Sequence, residues 1–222
     1  MRGLVRVGAA VPSLALGNVK ENMKRHLAMM REAKEKHVSI VTFPELSLTG
    51  YTCGDLFFQR RLLDDVTDAL LTLKDEMPEG ILAVVGAPLE IEGALYNCAV
   101  VRHKGEIISA VPKTFLPNNG EFYEKRWFQS GDARRDASVA IPKLKTDVCR
   151  QAIFETEDGV RFGIELCEDL WAPLPPSTML SVEGAEIILN LSASNELLSK
   201  REYRQQLISQ QSARCQCGYV YV

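Results

Sequence analysis

The run Phe162-Gly-Ile-Glu-Leu-Cys-Glu-Asp-Leu-Trp171 constrains the fold more than any other stretch. Its first half reads as a buried strand, which stops at Cys167 among acidic residues with an aromatic just beyond. Open α/β sheets present reactive groups at the carboxyl ends of their strands, in the crevice outside the sheet. Cys167 is therefore the candidate nucleophile, and its base and oxyanion partner must come from elsewhere in the chain.

The rest of the sequence supplies the other layers. Leu4–Val11 is strand-like, and Asn18 with Glu21 three residues on marks a helix start. Val19, Met23, Leu27 and Met30 recur at helical spacing, which predicts an amphipathic helix over 18–36. Val38–Phe43 is a second strand, Leu56–Glu76 a second helix, and Ile81–Ala87 a strand ending at Pro88. Leu95–Val101 and Ile107–Val111 form a hairpin about Gly105, followed by a long irregular segment from Thr114 to about Asp136. A second hairpin, Ala152–Glu155 with Val160–Leu166, delivers Cys167. A helix entered through Pro173, Pro175 and Pro176, a strand over Glu186–Ser192, a helix over 197–214 and a strand at Tyr219–Val222 complete the order. Alternating strands and helices with two hairpins predict an α/β layered sandwich with mixed sheets.

At 222 residues, 46% of them hydrophobic and 25% charged, the chain suits one globular domain spanning 1–222. A net charge of −3 argues against nucleic acid or an anionic membrane as partner. No apolar run reaches the ~18–20 residues a membrane span needs. None of the six cysteines lies at C-x-x-C spacing and only three histidines are present, so no metal site is expected. Without a secretory leader pattern at Met1–Pro12, reduced cysteines and a cytoplasmic location are expected.

Glu45, Lys113 and Cys167 each sit where a predicted strand gives way to irregular chain. Taken singly, each is ordinary: a buried apolar thiol, a turn glutamate, a surface lysine. If the three strands are neighbours, their ends converge on one crevice. None of His26, His37 and His103 is placed as a general base.

Three blocks carry a resemblance: Phe43-Pro-Glu-Leu-Ser-Leu-Thr-Gly-Tyr51, Pro112-Lys-Thr-Phe-Leu-Pro117 and Leu166-Cys-Glu-Asp-Leu-Trp171. In this order they resemble the signature blocks of the nitrilase, or carbon–nitrogen hydrolase, superfamily. Glu121-Phe-Tyr-Glu-Lys-Arg126 and Asn190-Leu-Ser-Ala-Ser-Asn195 are similar to one branch, the amino-terminal glutaminase domains of glutamine-dependent NAD+ synthetases. The resemblance runs from about Val5 to Val222. It implies a four-layer αββα sandwich and a Glu45–Lys113–Cys167 triad that hydrolyses L-glutamine to glutamate and ammonia through a thioester. Glu45 would be the general base. Lys113, with the N–H after Cys167, would stabilise the oxyanion.

By the same resemblance, Tyr51, Glu121, Phe122, Glu168, Trp171, Ser194 and Lys200 fall at the glutamine site. Glu168 suits the substrate ammonium, Glu121 would be a second active-site carboxylate, and Lys200 or Arg201 would hold the substrate carboxylate. The branch also implies homo-oligomers and a carboxy-terminal synthetase domain that uses ATP and Mg2+. No Ser-Gly-Gly pyrophosphate loop occurs here, so that domain is expected beyond this chain, which would end before the last strands of the family fold. A stand-alone amidase acting on another small amide, or a non-catalytic assembly module, are the alternatives.

Overall fold

The blocks of β-branched and aliphatic residues pair into two mixed sheets, seen in a computed structural model that describes residues 4–133, 138–149 and 151–222. Met1–Gly3 and the end of the expected irregular segment, 134–136, lie outside the described residues. The first sheet has the order β1 (Val7–Ala9), β2 (Ile40–Thr42), β3 (Leu82–Ile91), β4 (Ala94–His103), β5 (Glu106–Pro112), β7 (Thr146–Cys149), β6 (Ser138–Ile141). In it β1, β2 and β3 run parallel, β3 to β5 are antiparallel, and β7 pairs parallel to β5. The second sheet runs β11 (Gly218–Tyr221), β10 (Ile187–Leu191), β9 (Arg161–Leu166), β8 (Ile153–Glu155). Its first three strands are parallel and β8 is antiparallel.

Period-2 alternation decides how the sheets face. Val84, Val101 and Val111 of the first sheet pack against Phe162, Ile164, Leu166 and Leu189 of the second. The alternate residues of the first sheet, Val41, Val85 and Val100, pack under α1 (Val19–Glu35) and α2 (Arg60–Glu76). Ile188 faces the other way, toward Leu180 of α3 (Pro176–Val182), and α4 (Lys200–Cys215) lies beside that helix and β11. The expected αββα sandwich is the fold.

Local details follow the sequence with four differences. Asn18 caps α1 by accepting from Glu21 N, but the Glu21 side chain pairs with Arg25 and does not complete the capping box. The helix expected from Leu56 begins at Arg60, because Tyr51–Phe58 forms tight turns broken at Gly54. Pro88 does not end its strand. Phe43 N donates to Val84 O and Leu48 N to Gly86 O, so alternate residues of β3 face the side where β2 has already stopped. Pro88 shares that parity, and its missing N–H costs no ladder bond there. Finally, β6 and β7 were not anticipated. They are four residues each, pair with one another as a short hairpin, and join the sheet where β7 meets β5.

Candidate active site

Four strand ends meet at one edge of the sandwich. β2 leads into Phe43-Pro44-Glu45, β5 into Lys113, β9 into Cys167 and β10 into Ser192. β2 and β5 run the same way in the first sheet, as β9 and β10 do in the second, so their carboxyl ends open on the same side of each sheet.

Each side chain is fixed by its own backbone. Leu46, next to Glu45, is at φ 51°, and this turn presses on β3 at Gly86. A Cβ at Gly86 would stand 2.3 Å from Pro44 O and 2.4 Å from Leu46 N, so only glycine admits the turn. Lys113 N donates to Asn97 O at 2.8 Å on β4. Cys167 begins a tight turn, Cys167–Trp171, and sits at φ 42°, a conformation that costs an L-residue about 1–2 kcal/mol. Asp169 holds that turn. Its Oδ2 accepts from Leu166 N at 2.9 Å, while Oδ1 accepts from Thr114 N at 3.0 Å and Phe115 N at 2.7 Å. One carboxylate thus fastens the segment after Lys113 to the turn that carries Cys167.

Lys113 Nζ lies 2.6 Å from Glu45 Oε1 and 2.7 Å from Glu124 Oε1, with all three side chains buried. Asn97 Nδ2 also donates to Glu45 Oε1 at 2.7 Å, and Tyr51 OH donates to Glu124 Oε1 at 2.7 Å. Adjacent residues tie the acid to the thiol: Ser192 Oγ donates to Cys167 Sγ at 3.3 Å, and Ala193 N donates to Glu45 Oε2 at 3.1 Å. The N–H of Cys167 is taken by Asn190 Oδ1 at 3.1 Å.

The electrostatics follow from burying so many charges together. Burial first, and then the Glu45 charge, push the Cys167 thiol up to about 12, while Lys113 and the Ser192 hydroxyl pull it down. Burial works against the Lys113 ammonium, yet the charges of Glu45, Cys167 and Glu124 hold its pKa above the ordinary lysine value. Burial and the Glu45 charge raise Glu124 to about 7, against the pull of Lys113. Burial also raises Glu168, which Lys113 and Lys200 partly offset.

The remaining expected residues form a rim beyond this buried cluster. Tyr51 meets Phe122 edge-on at 6.2 Å. Lys200 Nζ lies 5.2 Å from the Trp171 ring and 5.8 Å from the Phe122 ring, whereas Arg201 is exposed. Glu168 and Trp171 border a cleft of about 430 Å³ with Thr114, Phe115 and Lys125. Ser194 receives a 3.5 Å contact from Arg204 Nη1, a cation on α4 that no sequence motif marks. Glu121 is exposed and bonded to Asn195. The carboxylate at the ammonium is Glu124 instead, because Glu124 N bonds Pro117 O and turns that side chain inward. The larger cleft, about 850 Å³ between α1 and α2, is lined by none of these residues. Among the described residues no cluster of three or more potential metal ligands occurs.

The carbon-nitrogen hydrolase family profile matches residues 6–222. The chain belongs to the carbon–nitrogen hydrolase family. This carbon–nitrogen hydrolase is 37% identical over 222 residues to the glutamine-dependent NAD(+) synthetase of Mycobacterium tuberculosis H37Rv, covering 99% of the chain and 32% of that protein. The Rattus norvegicus protein of the same name is 30% identical over 202 residues, covering 87% of the chain and 28% of that protein. The chain therefore spans about a third of the length of these curated relatives. Among solved structures, a glutamine-dependent NAD(+) synthetase from Cytophaga hutchinsonii superposes with a TM-score of 0.85 at 30% identity, over 98% of this chain and 35% of that one. An amidase from Nesterenkonia sp. superposes with a TM-score of 0.76 at 16% identity, over 98% of this chain and 75% of that one, a likeness of fold.

Proposed function

We propose that this chain hydrolyses L-glutamine to glutamate and ammonia through a γ-glutamyl thioester on Cys167. The observation that carries the reading is the buried Glu45–Lys113 pair, 2.6 Å apart, joined to the Cys167 thiol through Ser192 and Ala193. The relatives named for glutamine-dependent NAD+ synthesis supply the substrate class.

Glu45 accepts the thiol proton as Sγ bonds the side-chain amide carbon, and the carbonyl electron pair moves onto oxygen. Lys113 and the N–H of Glu168 stabilise that oxyanion in a water-poor site, where fixed charges act strongly. When the oxyanion collapses the C–N bond breaks, and the proton held on Glu45 passes to the leaving ammonia. Water then gives a proton to Glu45 and attacks the thioester. The C–S bond breaks, and that proton returns to the thiolate. At the rim, Glu168 faces the substrate ammonium and Lys200 the carboxylate, between the rings of Tyr51, Phe122 and Trp171, with Ser194 adding a polar contact.

In the same reading, the ammonia serves glutamine-dependent NAD+ synthesis in a synthetase part matching the remaining length of the relatives. The ATP- and Mg2+-dependent steps belong to that part. Ammonia release from glutamine by wild type and Cys167→Ala, with aliphatic amides in parallel, tests the proposal. Loss of glutamine turnover in the variant is expected. Wild-type turnover of aliphatic amides with glutamine ignored, or unchanged ammonia release by Cys167→Ala, would refute it.

A further inference from the structure

Outside the Glu45–Lys113–Cys167 trio, the Ser192 side chain reaches the sulfur itself. Ser192 follows β10 directly and is buried. Its backbone N donates to Val222 O at 2.7 Å, and Val222 N donates back to Asn190 O at 3.0 Å, which fixes the residue against the end of β11. Three groups surround its hydroxyl: Cys167 Sγ at 3.3 Å, Tyr221 OH at 2.6 Å and Ser194 N at 3.1 Å. A hydroxyl has one proton and two acceptor sites. The Ser194 N–H can only donate, so it occupies one acceptor site. If Tyr221 OH fills the other, the serine proton is left pointing at sulfur.

We propose that Ser192 is a further catalytic residue, whose hydroxyl, oriented by the Tyr221 hydroxyl, donates a hydrogen bond to Cys167 Sγ that strengthens whenever the sulfur carries negative charge. The inference rests on Cys167 being the nucleophile. Sulfur is anionic when its proton has passed to Glu45, and again when the C–S bond of the thioester breaks. In the thioester between these stages it is a weak acceptor. The bond therefore stabilises the states flanking each chemical step more than the intermediate itself.

The titratable groups facing the sulfur are the Glu45 carboxylate, the Lys113 ammonium and the hydroxyls of Tyr51 and Tyr221. Glu45 opposes the thiolate and Lys113 favours it. Tyr221 is faced in turn by Cys167, Arg204 and Ser194. Burial, then the Cys167 charge, push Tyr221 up to about 12, so it keeps its proton near neutrality and can serve as donor to Ser192.

The test is alkylation of Cys167 by iodoacetamide between pH 6 and 10, followed on its own peptide by mass spectrometry. Wild type, Ser192→Ala, Tyr221→Phe and the double variant are compared. A hydrogen bond to a charged group corresponds to about one unit of thiol pKa. The less acidic thiolate is also more nucleophilic, so a net slowing of about threefold is expected in Ser192→Ala. Tyr221→Phe should slow the reaction less, and the double variant no more than Ser192→Ala alone. For glutamine, kcat should fall with KM unchanged, and Ser192→Thr should recover part of the loss. Superimposable profiles for wild type and Ser192→Ala, or a full additional Tyr221→Phe effect without the Ser192 hydroxyl, would overturn the proposal. Should Ser192→Ala not fold, Tyr221→Phe decides alone, a slowed profile supporting the relay and an unchanged one overturning it. Glutamine turnover by Cys167→Ala would refute the nucleophile assignment separately, with the alkylation profiles still reporting on the hydrogen bond.

Discussion

Lys113 Nζ and Glu45 Oε1 stand 2.6 Å apart, and neither side chain is exposed. Breaking such a pair leaves an uncompensated buried charge, at a cost of about 3–5 kcal/mol. Lys113→Met also leaves Glu45 beside Glu124 with no cation between them. This variant should lose glutamine turnover and unfold at a clearly lower urea concentration. A midpoint within error of wild type would contradict the burial of the pair.

The two partners should affect the thiol in opposite directions. The Glu45 charge raises the Cys167 pKa and Lys113 lowers it. Glu45→Gln should therefore make Cys167 more acidic and faster to alkylate at neutral pH, while glutamine hydrolysis collapses for want of a proton acceptor. This opposed result separates the charge of Glu45 from its role as a base. Parallel loss of alkylation and turnover would mean that Glu45 serves only to hold the site together.

Glu124 predicts a pH dependence of stability. Burial and the Glu45 charge raise its pKa from 4.5 to about 7. Between these values the native state holds a proton that the unfolded chain has released. The contribution of this carboxyl to stability is thus fully present below about 4.5 and is lost as pH rises toward 7. Glu124→Gln cannot ionise, so its urea midpoint should decline less between pH 5 and pH 8 than that of wild type. Equal slopes would reject the raised pKa.

The positions of Glu45, Lys113 and Cys167 were legible in the sequence because each apolar run stops sharply, at Pro44, Pro112 and the acidic residues after Cys167. The two-sheet core was legible for the same reason. Glu124 was not. It sits in a charged segment with no period, and only the turn onto Pro117 O makes it inward-facing while Glu121 stays exposed. Glu165, in the strand that delivers Cys167, accepts from Ser177 N at 2.8 Å and is also bonded by Tyr219, fastening β9 to α3 and β11. Those bonds span distant parts of the chain, and no local pattern encodes them. His26, fitted to no catalytic role, braces the Glu45 turn through Ser47 Oγ at 2.9 Å.

Gly86 offers a test of the site that touches no reacting group. Its added Cβ in Gly86→Ala would collide with Pro44 O and Leu46 N, both backbone atoms with no side-chain freedom to yield. Glu45 would be displaced from Lys113 and Ala193. The expected outcome is a loss of stability of about 1–3 kcal/mol, as for overpacked cores, with turnover reduced far more than stability requires. Full activity in a folded Gly86→Ala protein would show that Glu45 tolerates displacement.

Asp169 should behave as a clasp between the two halves of the site. Removing its carboxylate in Asp169→Ala leaves Leu166, Thr114 and Phe115 N–H groups without this acceptor. Each unpaired buried donor costs about 1–3 kcal/mol. Asp169→Asn keeps one acceptor oxygen and should fall between wild type and Asp169→Ala in urea midpoint. The ranking decides the point, because a merely space-filling side chain would leave Asp169→Asn equal to wild type.

At the rim, Lys200 and Arg204 compete for one role, holding the substrate carboxylate. Lys200 lies over the rings of Trp171 and Phe122, as a cation lining an aromatic-walled pocket would. Both cations have partners, but Lys200 Nζ donates to the neutral Asn195 side chain, whereas Arg204 is already ion-paired, with Nη2 2.7 Å from Glu196 Oε2 and Nη1 3.3 Å from Asn195 O. Lys200→Ala should therefore raise KM for glutamine by about tenfold or more, the weight of one charge-assisted contact, with kcat little changed. Arg204→Ala should act more weakly, through the Ser194–Asn195 segment. Steady-state kinetics on glutamine and on a glutamine analogue lacking the α-carboxylate separates the two. Lys200→Ala should affect only the first substrate, and an equal effect on both would remove Lys200 from the carboxylate site.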